Sequence, residues 1–432
     1  MHTHEAELLL TRSFSSRVAR RTRHHESATG VGVSFATISG FRKSGNNVTI
    51  TLIVNLLLAA FATGCQTITD RQNVRPLVMR DVPAQRLAYR LEADVSAPAD
   101  LSTDNDKRES IQADFNSRRP DDALVRTVLS PDKQRALALY GTENEPTSAF
   151  QIDLYSADGK FLKNLTPPDL SCVFPETVAW SPDGNFITFI AHKAVKPSPT
   201  PTPPIQEDVP PEAIPSPSVA PVFPAVPLFN TEQIYICTRD GYEMRPLTSR
   251  EGLIYFYFEW APDAHAVAAL ACREAEWVAR EREFKLPAGR PRLIDLEGKE
   301  RLLDDDLTEA LPVWSTDASK VATAFDTDVA IYDAATNKPT QARIRLRDQL
   351  IKASQAFDEK SSAGRKKSEG HTAASSTGSL PASFNPIVRL EWPSPDKLYI
   401  QTAYVRIMPN EPINTFQRWH LLSLSAQAAV LK

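Results

Sequence analysis

Trp180-Ser181-Pro182-Asp183-Gly184, running on into Phe186-Ile-Thr-Phe-Ile-Ala191, is the stretch on which the fold turns. A bulky aromatic, a Pro-Asp-Gly turn and an apolar β-like run follow one another directly. Pro presets φ at such a turn, and the Asp side chain bonds its own backbone two residues on. The order recurs at Val128-Leu-Ser-Pro-Asp132-Lys, Trp260-Ala-Pro-Asp263-Ala, Trp314-Ser-Thr-Asp317-Ala and Trp392-Pro-Ser-Pro-Asp396-Lys. Four of the chain's six tryptophans occupy this one position, which chance would not arrange.

The turn aspartates Asp132, Asp183, Asp263, Asp317 and Asp396 are 51, 80, 54 and 79 residues apart. Both long gaps hold low-complexity sequence, a Pro-rich tract at about 196–229 and a Ser/Lys-rich one at about 354–383. Without roughly 30 residues from each, the unit is near 50 throughout, the length of four short strands in a propeller blade. Within each unit an apolar run follows the turn, then a β-rich run such as Gln233-Ile-Tyr-Ile-Cys237. Asp158-Gly159 and Asp240-Gly241 then signal hairpins. Two segments alone carry helical spacing, Glu274–Phe284 and Ile344–Phe357, and read as loop helices.

The unit resembles the TolB-like, WD-type β-propeller repeat: W-S-P-D-G, apolar strand, I-Y-x-x-D-x-x-G, then R-L-T. The copy from Trp180 to Thr248 carries it nearly intact, whereas Ala264 and Ala318 replace the turn Gly and Thr316 the turn Pro. The resemblance covers residues 121–432 and implies an all-β propeller of five or six four-stranded blades. It does not define a molecular task. Trp180, Trp260, Trp314 and Trp392 read as wedges between blades, each able to bury up to about 250 Å². Arg86-Leu-Ala-Tyr-Arg-Leu91 alternates like a strand, and would belong either to a sixth blade or to ring closure.

Composition narrows the function classes. With 49 Lys+Arg against 53 Asp+Glu the net charge is −4, so no basic excess awaits nucleic acid. The 34 Pro against 15 Gly invert the usual order, and 12 of those Pro fall between Pro197 and Pro227. That tract favours polyproline II, a stiff spacer or a ligand for partner domains.

Ahead of the repeats, Arg42-Lys43 precede the apolar run Val48–Gly64, the layout of a secretory signal. Ala62-Thr63-Gly64-Cys65 resembles the bacterial lipobox, which implies a diacylated Cys65 as the first mature residue. The competing reading, a transmembrane anchor, has only 17 residues interrupted by Thr49, Thr51 and Asn55. Gln66 after the Cys favours, by the same resemblance, the outer membrane facing the periplasm. Residues 1–47 read as a long n-region or a misplaced start, and 65–120 as a lipidated N-terminus and flexible tether, poor in large apolar residues.

Catalytic signatures are missing from the sequence: no G-x-S-x-G elbow, phosphate loop or dinucleotide fingerprint. After Cys65 the histidines His192, His265, His371 and His420 stand apart from one another. Asp304-Asp305-Asp306 reads as a solvated turn. Cys237 and Cys272, in successive repeats, are a candidate disulfide, with the free thiol as the competing reading. No catalytic residue, cofactor or metal ligand is therefore assigned. The expected function is a lipid-anchored envelope module binding proteins or peptides. Resemblance to TolB implies envelope lipoproteins or outer-membrane assemblies as partners. The alternatives are a propeller lyase or glycan hydrolase with carboxylates in its central channel, and a purely structural anchored protein.

Overall fold

The computed structural model describes residues 79–99, 109–142, 149–194, 228–335, 340–368, 385–406 and 414–426. Cys65, the apolar run before it, His371 and the Pro-rich tract lie outside them. Strand β1 (Leu87–Val95) comes first, followed by helix α1 (Glu109–Arg118). The strands among the described residues form five antiparallel sheets.

Blade 1 is β2 (Asp122–Leu129), β3 (Arg135–Thr142), β4 (Gln151–Ser156) and β5 (Phe161–Asn164), paired in sequence order. Blade 2 has an inner strand in two pieces, β6 (Leu170–Val173) and β7 (Ala179–Trp180), both paired with β8 (Phe186–Lys193). The break falls where Phe174 turns to φ +60° and Pro175 lacks an N–H for the ladder. Outside β8 lie β9 (Gln233–Thr238) and β10 (Arg245–Pro246). Blade 3 is β11 (Leu253–Trp260), β12 (Ala266–Arg273), β13 (Arg290–Asp295) and β14 (Glu300–Leu302), with helix α2 (Glu274–Arg282) between its second and third strands. Blade 4 is β15 (Val313–Trp314), β16 (Lys320–Phe325), β17 (Asp328–Asp333) and β18 (Gln341–Arg345). Helix α3 (Arg347–Ser368) leads to blade 5: β19 (Ile387–Ser394), β20 (Lys397–Arg406) and β21 (Asn414–Ala426).

The sequence β1-β21-β20-β19 makes β1 the outer strand of blade 5, with Leu87 opposite Ala426 and Leu91 opposite Leu422. The strand expected at Arg86–Leu91 therefore closes the series, covering an edge that would otherwise expose a row of unpaired backbone groups. The fold is a β-propeller with five blades among the described residues. Alternation in each strand sends one set of side chains to each neighbouring blade. Leu137, Leu139 and Ile152 of blade 1 pack with Ile187 and Phe189 of blade 2. Ile234 and Ile236 pack with Ile254 and Phe258 of blade 3, and Ala268 and Leu293 with Trp314 and Val321 of blade 4. Ile331 and Val329 pack with Leu398 and Ile400 of blade 5.

Three sequence expectations need correction. The stretch 65–120 is not all tether: besides β1 it contains α1, whose Ile111 and Phe115, one turn apart, bury against Leu124, Ala138 and Tyr140 of blade 1. The helix expected from Ile344 begins at Arg347, because Ile344 is a strand residue opposite Val329. The Ser/Lys-rich insert is helical as far as Ser368; its small Ser354 is buried, accepting a bond from Arg418 Nη1 at 3.3 Å. A polar composition concealed that one-sided pattern.

Candidate functional site

Three of the five repeat turns are built by the same local bonds. Ser130 Oγ donates to Asp132 Oδ1 (2.6 Å), which also accepts from Gln134 N (3.0 Å), while Ser130 Oγ accepts from Arg135 N (2.9 Å). Asp183 and Asp317 accept from the backbone of Asn185 and Ser319 at 3.1 Å in the same way. Asp396 accepts from Ser394 Oγ (3.1 Å), and Asp263 instead meets His265 Nδ1 (2.8 Å). These hydroxyl and amide bonds hold the Asp183 and Asp317 carboxyls below the ordinary carboxylate range, although burial pushes the other way. The residue after the Asp is left-handed in four copies, at Lys133 (φ +57°), Gly184 (+73°), Ala264 (+64°) and Ala318 (+56°).

The buried indoles tie blade to blade. Trp180 Nε1 donates to Val128 O (3.1 Å), Trp260 Nε1 to Thr188 Oγ1 (2.8 Å) and Trp314 Nε1 to Glu259 O (3.1 Å), each reaching the preceding blade. Trp392 differs, donating to Pro395 O in its own turn (3.3 Å).

On the inner strands of blades 3 and 5, the residues one and three before the repeat Trp interact with one another across the centre of the propeller. They are Glu259 and Tyr257 of blade 3 and Glu391 and Arg389 of blade 5. All four are half-buried. Arg389 Nε donates to Glu391 Oε1 (2.8 Å), and the Tyr257 hydroxyl bonds the Glu259 carboxyl. Glu259 Oε2 is buried and has no donor among the described residues. Enclosure by the inner strands, and secondarily the Glu391 charge, push Glu259 up to about 8, against the pull of the Tyr257 bond. A carboxylic acid protonated at neutral pH thus lies near the Arg389–Glu391 pair. On blade 1, Arg126 Nη1 donates to Pro175 O (3.1 Å), and burial raises the nearby Glu176.

The two ends of the channel differ. One end carries the repeat turns and the tight third-to-fourth-strand hairpins, such as Ser156–Phe161 and Asp295–Glu300. At the hairpin of blade 2, a Cβ on Gly241 (φ +73°) would meet Leu165 Cδ2 at 2.2 Å. Among the described residues, α2 lies at the other end, where β8 ends and β9 begins and where β18 ends and β19 begins.

Of the remaining sequence candidates, Cys172, Cys237 and Cys272 are all free and buried. The pairing considered for Cys237 and Cys272 is not made, since they belong to different inter-blade cores. Asp304 accepts from Tyr332 Oη (2.8 Å) and Asp306 from Arg343 (3.3 Å), so this turn is spent on bonds within blade 4 and its approach. No group of His, Cys, Asp and Glu suited to a metal occurs among the described residues. No helix among them is long and apolar enough to cross a membrane. The polar channel group, Tyr257, Glu259, Arg389 and Glu391, was not singled out from sequence. Its signal was the residue just before the repeat Trp, which is Glu in two copies and apolar in three.

No family profile matches the chain, and no curated protein does. Among solved structures, prolyl oligopeptidase B from Galerina marginata aligns with 72% of this chain and 34% of its own, at 10% identity and a TM-score of 0.37. A structure from a study of two prolyl endopeptidases aligns with 85% of this chain and 54% of its own, at 10% identity and TM-score 0.34. A nidogen/laminin complex gives 72% and 87%, at 10% and 0.29. The chain thus spans a third to about half the length of the two peptidase chains. At these scores the likenesses carry no argument; the propeller assignment rests on the chain's own sheets and registers.

Proposed function

We propose that this chain is a binding module of a bacterial envelope, tethered through a lipidated Cys65, whose face with the long connections receives a protein or peptide. The observation that carries the reading is the segregation of long connections to one end of the channel, opposite short turns. Loops on a rigid scaffold are where recognition surfaces are built. The resemblance to TolB-like repeats, with the lipobox-like Ala62-Thr63-Gly64-Cys65, supports the envelope setting and an outer-membrane anchor facing the periplasm. Crosslinking in intact cells, read by mass spectrometry, should place partner crosslinks on segments 273–289, 302–312 and 346–386. Crosslinks confined to the repeat turns would overturn the reading. Radioactive fatty acid should label the wild type and not Cys65→Ala; equal labelling would sink the anchor.

The channel group supports a second reading. A protonated Glu259 near a second carboxyl group, Glu391, supplies the pair of acidic side chains that glycoside cleavage uses. Glycan turnover by the purified protein, abolished in Glu259→Gln, would establish it in place of binding alone.

A further inference from the structure

Helix α2 ends in a cap that calls for glycine and holds phenylalanine. Phe284 N donates to Glu281 O (3.1 Å) and Lys285 N to Arg280 O (3.0 Å), the paired bonds of a Schellman ending. The residue between them must be left-handed, and Phe284 is, at φ +53°. A side chain with a Cβ is strained there. No burial offsets the cost, because Phe284 is 97% exposed. Neither the cap nor the core accounts for the phenyl ring.

The platform beneath it is stiff. Trp277 on α2 is buried between Phe174 and Phe256, with ring centroids at 6.0 and 5.6 Å. Arg290 forks onto Glu276 through bonds of 2.8 and 2.9 Å, joining the helix to β13. Arg280 Nε donates to Leu286 O (2.6 Å) and its guanidinium also pairs with Glu309, fixing the loop beyond the cap. Leu286, 41% exposed, extends the apolar tip. The surrounding charge nearly cancels: Lys285 pairs with Glu283 (2.6 Å), and the neighbouring Glu281 and Arg282 are of opposite sign. A bilayer-seeking tip would carry a basic collar. A near-neutral collar around a rigid aromatic instead matches the anchors found at the centre of protein–protein interfaces.

We propose that Phe284, with Leu286 beside it, is the anchor by which this face docks into an aromatic-sized apolar pocket of a partner protein. The inference rests on the reading of the face with the long connections as the docking face. Its strained cap is tolerated because contact energy with the partner is returned there and nowhere in the free chain.

The test replaces Phe284, Leu311 in the link before β15, or Tyr242 in a hairpin at the opposite end, with benzoylphenylalanine in the full chain, and irradiates intact cells. A discrete protein adduct from position 284 is expected. With that protein purified, Phe284→Gly should weaken binding at least tenfold without lowering the melting temperature, since glycine relieves the cap. An adduct from 311 but not from 284, lipid-only adducts at 284, or equal affinity of Phe284→Gly would overturn the anchor and leave the docking face standing. Adducts from 242 alone would overturn both.

Discussion

At the scale of single residues, the repeat turn shows how tightly a backbone conformation can outlive the residue suited to it. Gly184 is left-handed, and so are Ala264 and Ala318 where Gly has been lost. Returning glycine to both sites should stabilise the fold by about 0.5–1 kcal/mol each, and Gly184→Ala should cost a similar amount, measured by chemical denaturation. Two buried titratable groups set opposite limbs of a pH–stability profile. His420, 1% exposed, shares a bond with Thr402 Oγ1 (2.9 Å) and accepts from Asp94 N (3.3 Å). Burial, with the Arg418 charge, holds it down at about 4. It is neutral when folded and protonates more readily when unfolded, so stability falls as pH drops from about 6.5 to about 4, by roughly 3 kcal/mol. Glu259 works the other way. Its folded value is raised, so the stability linked to its proton is present at low pH and is lost as pH rises toward about 8. His420→Gln should flatten the acid limb and Glu259→Gln the alkaline one, read from denaturation midpoints between pH 4 and 9.

Among elements, the strand β1 depends on a latch. Arg418 grips Asp94 through Nε (2.6 Å) and Nη2 (2.7 Å), reaches Ala353 O and Ser354 on α3, and stacks on the Phe357 ring at 4.6 Å. One side chain therefore fastens the first strand, the last strand and the α3 insert. Arg418→Ala should cost about 2 kcal/mol and raise hydrogen exchange in β1 before that in β20. The indoles make the comparable tie between blades: Trp314→Ala should cost about 3–5 kcal/mol, seen as a loss of melting temperature. Much of this level was legible in the sequence. The Trp–Pro–Asp order located the inner strands and their turns because it is a local instruction: Pro restricts φ, and Asp reaches only its own near backbone. Helix α1 and the buried side of α3 were not legible, because Ile111, Phe115 and Ser354 acquire a partner only when blade 1 or blade 5 lies against them.

For the whole molecule, the period of about 50 residues implies that the Pro-rich tract is an addition to blade 2 rather than part of it. Ala191 still pairs with Gln233 across the two sides of that excursion. Replacing residues 197–226 with a short Gly-Ser link should leave the melting temperature within a degree or two, because loop length enters stability only logarithmically. By itself the sequence determined the repeat, the all-β class, the turn chemistry and the place of the indoles, since these depend on short-range sterics and on the alternation of side chains along a strand. Only the tertiary structure decided that β1 completes blade 5, that Cys237 and Cys272 stay apart, and that Glu259 lies near Glu391. Those relations join residues tens to hundreds of positions apart, and the packing of one blade on the next, not any local preference, brings them within reach. The same holds for Phe284: nothing in its sequence neighbourhood marks it as exposed, and it becomes a functional signal only once a rigid blade holds it out in a left-handed cap.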